Sequence, residues 1–162
     1  MNCSTIDLYM GHTPIKRHSA LQGVSREHHH GLLLCWKIRT GLSKNIPPER
    51  IKAYVDWFYE TYLVPHFDME ETYIFPILGK DHPWIRKAFA DHRRLNRLFT
   101  TPTANMKTLG QIEETLEQHI RFEERQLFNH VQQVASATQL EIIEKQHNNE
   151  KFKDNTDDTF WI

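Results

Sequence analysis

Two stretches of this sequence carry the same polar interruption at the same step of an apolar helical stripe. His66-Phe-Asp-Met-Glu70-Glu71-Thr-Tyr-Ile-Phe75 aligns with His119-Ile-Arg-Phe-Glu123-Glu124-Arg-Gln-Leu-Phe128. Both read His, apolar, two others, Glu-Glu, two others, aliphatic, Phe. A His and a Glu four apart lie on one helix face, one turn above the other. The first pair falls in the stripe Ile51, Val55, Phe58, Tyr62, His66, Glu70, Tyr73 and Ile77. The second falls in Leu109, Ile112, Leu116, His119, Glu123 and Leu127, continued by Val131 or His130. A carboxylate buried without a partner is expensive, so several in one small core require compensating groups or a cation. Imidazole nitrogen with carboxylate oxygen suits iron, manganese or zinc better than calcium or magnesium.

The rest of the chain supplies the helices that such a core needs. A first segment runs from about Ser19 to Leu42, with Leu21, Val24, His28, Leu32, Cys35 and Leu42 in line, and Gly41 with the Ser43–Pro48 stretch is expected to end it. The second starts at Pro47-Pro48; Pro65 predicts a kink, and Pro76 with Gly79 predicts its close. A third begins near Pro83 and aligns Ile85, Ala88, His92, Leu95 and Phe99. The fourth covers about Asn105 to Val134, and a shorter fifth covers Thr138 to about Lys151. The acidic end, 154–162, reads as loose, with Phe160 and Trp161 available to dock. No β-type alternation or hairpin signal competes. The expected fold is all-α: an up-down-up-down four-helix bundle with a short extra C-terminal helix. Its expected divisions are an N-terminal extension (1–18), the bundle (19–134) and a C-terminal segment (135–162).

Composition narrows the function classes. The 162 residues suit one domain, and 20 Lys+Arg against 21 Asp+Glu leave a net charge of -1. That balance argues against nucleic acid as the main partner, which needs a clustered basic surface. No run of about 18 apolar residues is present to span a membrane. Met1 to Lys16 lacks the apolar centre of a signal peptide. Two cysteines, Cys3 and Cys35, make no disulfide framework, and the expected compartment is the reducing cytoplasm. Histidine is the outlier, with 11 copies. The zinc-protease His-Glu-x-x-His is absent, and the ferritin-type Glu-x-x-His runs in the opposite order to the strong pairs here.

With Glu27-His28 on the first helix and Asp91-His92 on the third, the paired motifs resemble those of the hemerythrin-like (HHE cation-binding) proteins over about Ala20 to Val131. The resemblance implies a non-haem di-iron centre, with manganese or zinc as alternatives. It gives ligand roles to His66, Glu70, His92, His119 and Glu123. One residue of the run His28-His29-His30 completes the set. Leu21, Val24 and Glu27 favour His28, whereas Leu32 and Trp36 favour His29. Glu71 and Glu124 point about 100° away and are expected to support ligands or form salt bridges. Oxygen-carrying hemerythrins place a second histidine one turn after the first on the third helix; here that position is Asn96. The implied partners are therefore O2, NO or peroxide at an opened coordination site. An enzyme acting on peroxide or NO, and a helical interaction module with a redox-silent metal and a homodimeric state, are the alternatives. Tyr62 and Tyr73 share the ligand stripe and are placed beside the centre or in core packing. His12, His18, His82, His130 and His147 lack the register and read as structural or surface residues.

Overall fold

The computed structural model describes residues 16–162. Most of the N-terminal extension, with Cys3 and His12, lies outside the described residues. Helix α1 spans Ser19–Ser43, opening where His18 Nδ1 accepts the Ala20 N–H. Helix α2 covers residues 48–77 and starts on Pro48, whose fixed φ suits a first turn. Helix α3 is Pro83–Phe99, capped by His82. Helix α4 covers residues 106–134, with Asn105 Oδ1 accepting the Thr108 N–H. Helix α5 is Ala137–Gln146, held by a reciprocal Ser136–Gln139 capping box. No strand occurs among the described residues.

Helix α2 is not uniform, and this changes which residues it buries. Around Pro65, which has no N–H to donate, the helix takes a π turn over Tyr59–Leu63, closed by Val64 N–H to Tyr59 O. A second π turn covers Glu70–Ile74, closed by Phe75 N–H to Glu70 O. Each wide turn holds one extra residue and so rotates the stripe by about 100°. The buried positions after Phe58 are therefore Leu63, His66, Phe67, Met69, Glu70, Ile74 and Phe75, where a straight α-periodicity expects Tyr62, Tyr73 and Ile77. Pro76 and Gly79, with φ of 87°, then end the helix. A third π turn, Glu123–Leu127, sits at the matching place in α4.

Two apolar clusters divide the core, and the helices cross them in alternating order. One contains Leu21 and Val24 of α1, Ile74 and Phe75 of α2, Ile85 and Ala88 of α3, and Leu127 and Phe128 of α4. The other contains Leu34 and Ile38, Ile51 and Val55, Leu95 and Phe99, and Leu109 and Leu116. Helices α1 and α3 run from the first cluster to the second, and α2 and α4 run back. That is the up-down-up-down arrangement, with the polar residues of all four helices in the layer between.

Two expectations about the ends are corrected. Gly41 does not end α1; it lies inside it, where a Cβ would stand 2.8 Å from Ile51 Cδ1 and 2.9 Å from Phe160 Cε2. The C-terminal segment is docked rather than loose. Helix α5 stops at Gln146, short of Lys151, and the chain beyond it packs along α1 and α2. Phe160 is 3 % exposed within the second cluster. Lys37, buried on α1, donates to Asp154 Oδ2 at 2.6 Å and Tyr54 Oη at 2.9 Å, and its ammonium lies 3.7 Å from the Trp161 ring centroid. A buried ammonium needs such partners, which holds the segment in place. Phe160→Ala is expected to destabilise the protein by about 3–5 kcal/mol, the usual range for a buried Phe. Guanidinium unfolding should show a lower midpoint with an unchanged slope.

Candidate metal centre

Between the two apolar clusters lie His28, His66, Glu70, His92, His119 and Glu123, all buried, with Glu70 and Glu123 fully so. They form two overlapping groups able to hold a metal ion: His28, His66, Glu70 and Glu123, and Glu70, His92, His119 and Glu123. Within each group one donor atom per residue lies within 4.8 Å of the others. Both groups share both glutamates. His28 is the inward residue of the histidine run; His29, the alternative, is exposed one 100° step further round α1 and joins neither group.

The imidazoles are aimed from outside by four carboxylates, each on a different helix. Glu27 of α1 faces His66 of α2, Nδ1 to Oε1 at 3.4 Å. Glu71 of α2 accepts from His92 Nδ1 of α3 at 2.7 Å. Asp91 of α3 accepts from His119 Nδ1 of α4 at 3.1 Å. Glu124 of α4 accepts from His28 Nδ1 of α1 at 2.7 Å, closing the ring. Each acid is a chain neighbour of an inward residue, so one helix turn supplies a group to the centre and a support to the next helix. A carboxylate at Nδ1 fixes the ring's orientation and raises its basicity as a ligand. Aromatic faces help: Phe67 stacks on His92 with centroids 4.0 Å apart, and Phe128 on His28 at 5.1 Å.

With every Nδ1 engaged outward, the four Nε2 atoms converge. His66 Nε2 lies 2.8 Å from Glu70 Oε1, and His92 Nε2 lies 3.1 Å from Glu70 Oε2. His28 Nε2 is 3.0 Å from Glu123 Oε2, and His119 Nε2 is 3.1 Å from Glu123 Oε1. Glu70 Oε2 and both Glu123 oxygens are buried without a hydrogen-bond partner, because these short approaches lack hydrogen-bond alignment. His92 Nε2 and His119 Nε2 stand 3.1 Å apart. Two neutral imidazoles with Nδ1 protonated would set lone pair against lone pair there. Orphaned carboxylate oxygens and converging nitrogen lone pairs both call for positive charge, so the donor set fits transition-metal cations.

Protons compete for the same place. Burial disfavours charge on His66 and His119, but Glu70 and Glu27 around the first, and Glu123 and Asp91 around the second, hold both up at about 9. His28 is raised well above its ordinary value by Glu123, Glu124 and Glu70, against the effect of burial. Burial would raise Glu27 and Glu124, but hydrogen bonds from His147 and His66, and from His28, bring them down to about 2.

The other residues singled out in the sequence find their partners outside the centre. Tyr62 and Tyr73 do not border the centre: the Tyr62 hydroxyl bonds to the Lys153 backbone, and that of Tyr73 faces Gln146. Asn96 is occupied with Tyr59, whose hydroxyl donates to its Oδ1 at 2.8 Å. His147, expected to be structural or on the surface, faces Glu27. Glu27 and Asp91 had a signal in their adjacency to His28 and His92; His147 had none in spacing.

The family model of the hemerythrin HHE cation binding domain matches residues 19–131, and the chain belongs to that family. The search of curated proteins and that of solved structures found no match.

The raised histidines give a pH dependence whose sign is fixed. In metal-free protein, the stabilisation from protonated His66 and His119 is full below about pH 6.5, their unfolded value, and is lost as pH rises through about 9. A cation requires the neutral rings, so its binding should release protons between pH 6.5 and 9, and affinity should climb across that window. Metal-free protein should therefore unfold at lower denaturant at pH 9.5 than at pH 6, while titration calorimetry in buffers of different ionisation heat should count the released protons.

Proposed function

We propose that this chain is a non-haem di-iron protein whose centre binds a small ligand: O2, NO or peroxide. The observation that carries this reading is the pair of His2Glu2 groups sharing Glu70 and Glu123. Two carboxylates common to both groups are the means by which two cations are held a few ångströms apart. His28 and His66 would serve one iron, and His92 and His119 the other, with Glu70 and Glu123 reaching both. Iron so held would supply reversible ligand binding and one-electron chemistry. The chain's part is to orient the four Nε2 atoms, exclude bulk water with the apolar clusters above and below, and fix the Nδ1 protons on the outer carboxylates.

Asn96 supports the ligand-binding reading. With its amide oxygen tied to Tyr59, Asn96 leaves the third helix one imidazole, His92, so each iron would receive two. Two imidazoles and shared carboxylates leave room for an exogenous ligand. No helix among the described residues is long and apolar enough to cross a membrane.

Metal analysis of protein purified without added metal should find close to two irons per chain, with near-ultraviolet bands in air that bleach on reduction and change when NO or peroxide is added. Glu70→Ala combined with Glu123→Ala should remove both ions. Zinc alone, or full metal content in the double variant, would contradict the reading.

A further inference from the structure

His147 stands at the C-terminal end of α5, beyond the residues that match the family. Its side chain is nonetheless 8 % exposed, with Nε2 only 2.7 Å from Glu27 Oε1. The same oxygen is 3.4 Å from His66 Nδ1. Glu27 is thus attached more closely to His147 than to the imidazole it supports. Two other acids of the ring are also secured from behind. Arg17 reaches Glu124 Oε2 at 3.1 Å, farther than the 2.7 Å from Glu124 to His28, and Lys87 reaches Asp91 Oδ2 at 2.6 Å, nearer than the 3.1 Å from Asp91 to His119; Glu27 is the acid farthest from its inward histidine and the one held from behind by another histidine.

The surroundings of Glu27 leave this role to His147. A cleft of about 270 Å³ lined by His30, Tyr62 and Phe152 lies on one side, and one of about 390 Å³ lined by Pro65, Met69 and Tyr73 on the other. Glu27 and His147 border both, so the carboxylate has space to swing either way. Gly23, one turn before Glu27, admits the imidazole: a Cβ there would meet the His147 ring at 2.6 Å.

We propose that His147 is a positioning residue that pins Glu27 behind His66, so that the C-terminal helix sets how firmly the metal ion on the His28–His66 side is held. This rests on the metal-binding reading above. Because Glu27 serves only His66 among the inward histidines, the effect is confined to one of the two ions.

Iron(II)-loaded protein mixed with a chromogenic iron(II) chelator should release metal in two phases, and His66→Ala identifies the phase belonging to its side. His147→Phe, which keeps a ring but no donor, should speed that phase about tenfold, as loss of an outer partner does, and leave the other unchanged. Gly23→Ala should reproduce the effect with His147 still in the sequence, since its methyl displaces the imidazole. His147→Gln, whose amide can donate to the same oxygen, should restore slow release. In a Glu27→Gln background, His147→Phe should add nothing. Circular dichroism and melting confirm that each variant is folded. Equal acceleration of both phases, no acceleration, failure of the Gln variant to rescue, or additivity with Glu27→Gln would each overturn the proposal. A wild-type chain that takes up no metal overturns the metal reading with it, whereas two-ion loading indifferent to His147 overturns this inference alone.

Discussion

Two glutamates at the middle of a bundle, Glu70 and Glu123, are fully buried with three of their four oxygens lacking a hydrogen-bond partner, and the surrounding structure is arranged around their need for positive charge. Isolated carboxylates in a low-dielectric core are strongly disfavoured, and four imidazoles compensate them only in so far as those rings carry protons or share a cation. The apolar clusters on either side supply the burial that drives folding. They also prevent water from doing the compensating. Fold and metal affinity are therefore coupled: the same closure that stabilises the bundle leaves its polar layer dependent on what sits between Glu70 and Glu123.

The outer carboxylates translate this requirement into a relation between helices. Glu27, Glu71, Asp91 and Glu124 each hold a histidine on the next helix, and together they close a ring around the bundle. Rotating or sliding any one helix would misplace both its own inward group and its neighbour's support. The wide turns belong to the same arrangement. Two of the three π turns begin on the inward glutamates themselves, at Glu70 and Glu123, and are closed by the N–H groups of Phe75 and Phe128, equivalent residues of the repeated motif.

Most of the centre was legible because its residues interrupt helical stripes in register. Helix α3 reads without error: Ile85, Ala88, His92, Leu95 and Phe99 are all buried. The repeated motif alone marks His66, Glu70, His119 and Glu123 as inward residues. Legibility failed where the backbone left the α-helical period. The π turns in α2 shift burial from Tyr62 to Leu63 and from Tyr73 to Ile74, so the tyrosines face the C-terminal segment instead of the centre. The choice between His28 and His29 also depended on phase, since apolar neighbours on both sides of the run pointed to different rings. Contacts at long sequence separation, such as His147 with Glu27 or Lys37 with Asp154, leave no periodic trace. Only packing discloses them.

The central claim is that two cations share Glu70 and Glu123, each served by two Nε2 atoms. Diffraction from crystals of the metal-loaded protein, collected on either side of the iron absorption edge, tests it directly. The account predicts two anomalous peaks about 3.5–4 Å apart, one against Nε2 of His28 and His66 and the other against Nε2 of His92 and His119. A single peak, or peaks on the outer carboxylates with the Nε2 atoms left unligated, would contradict it.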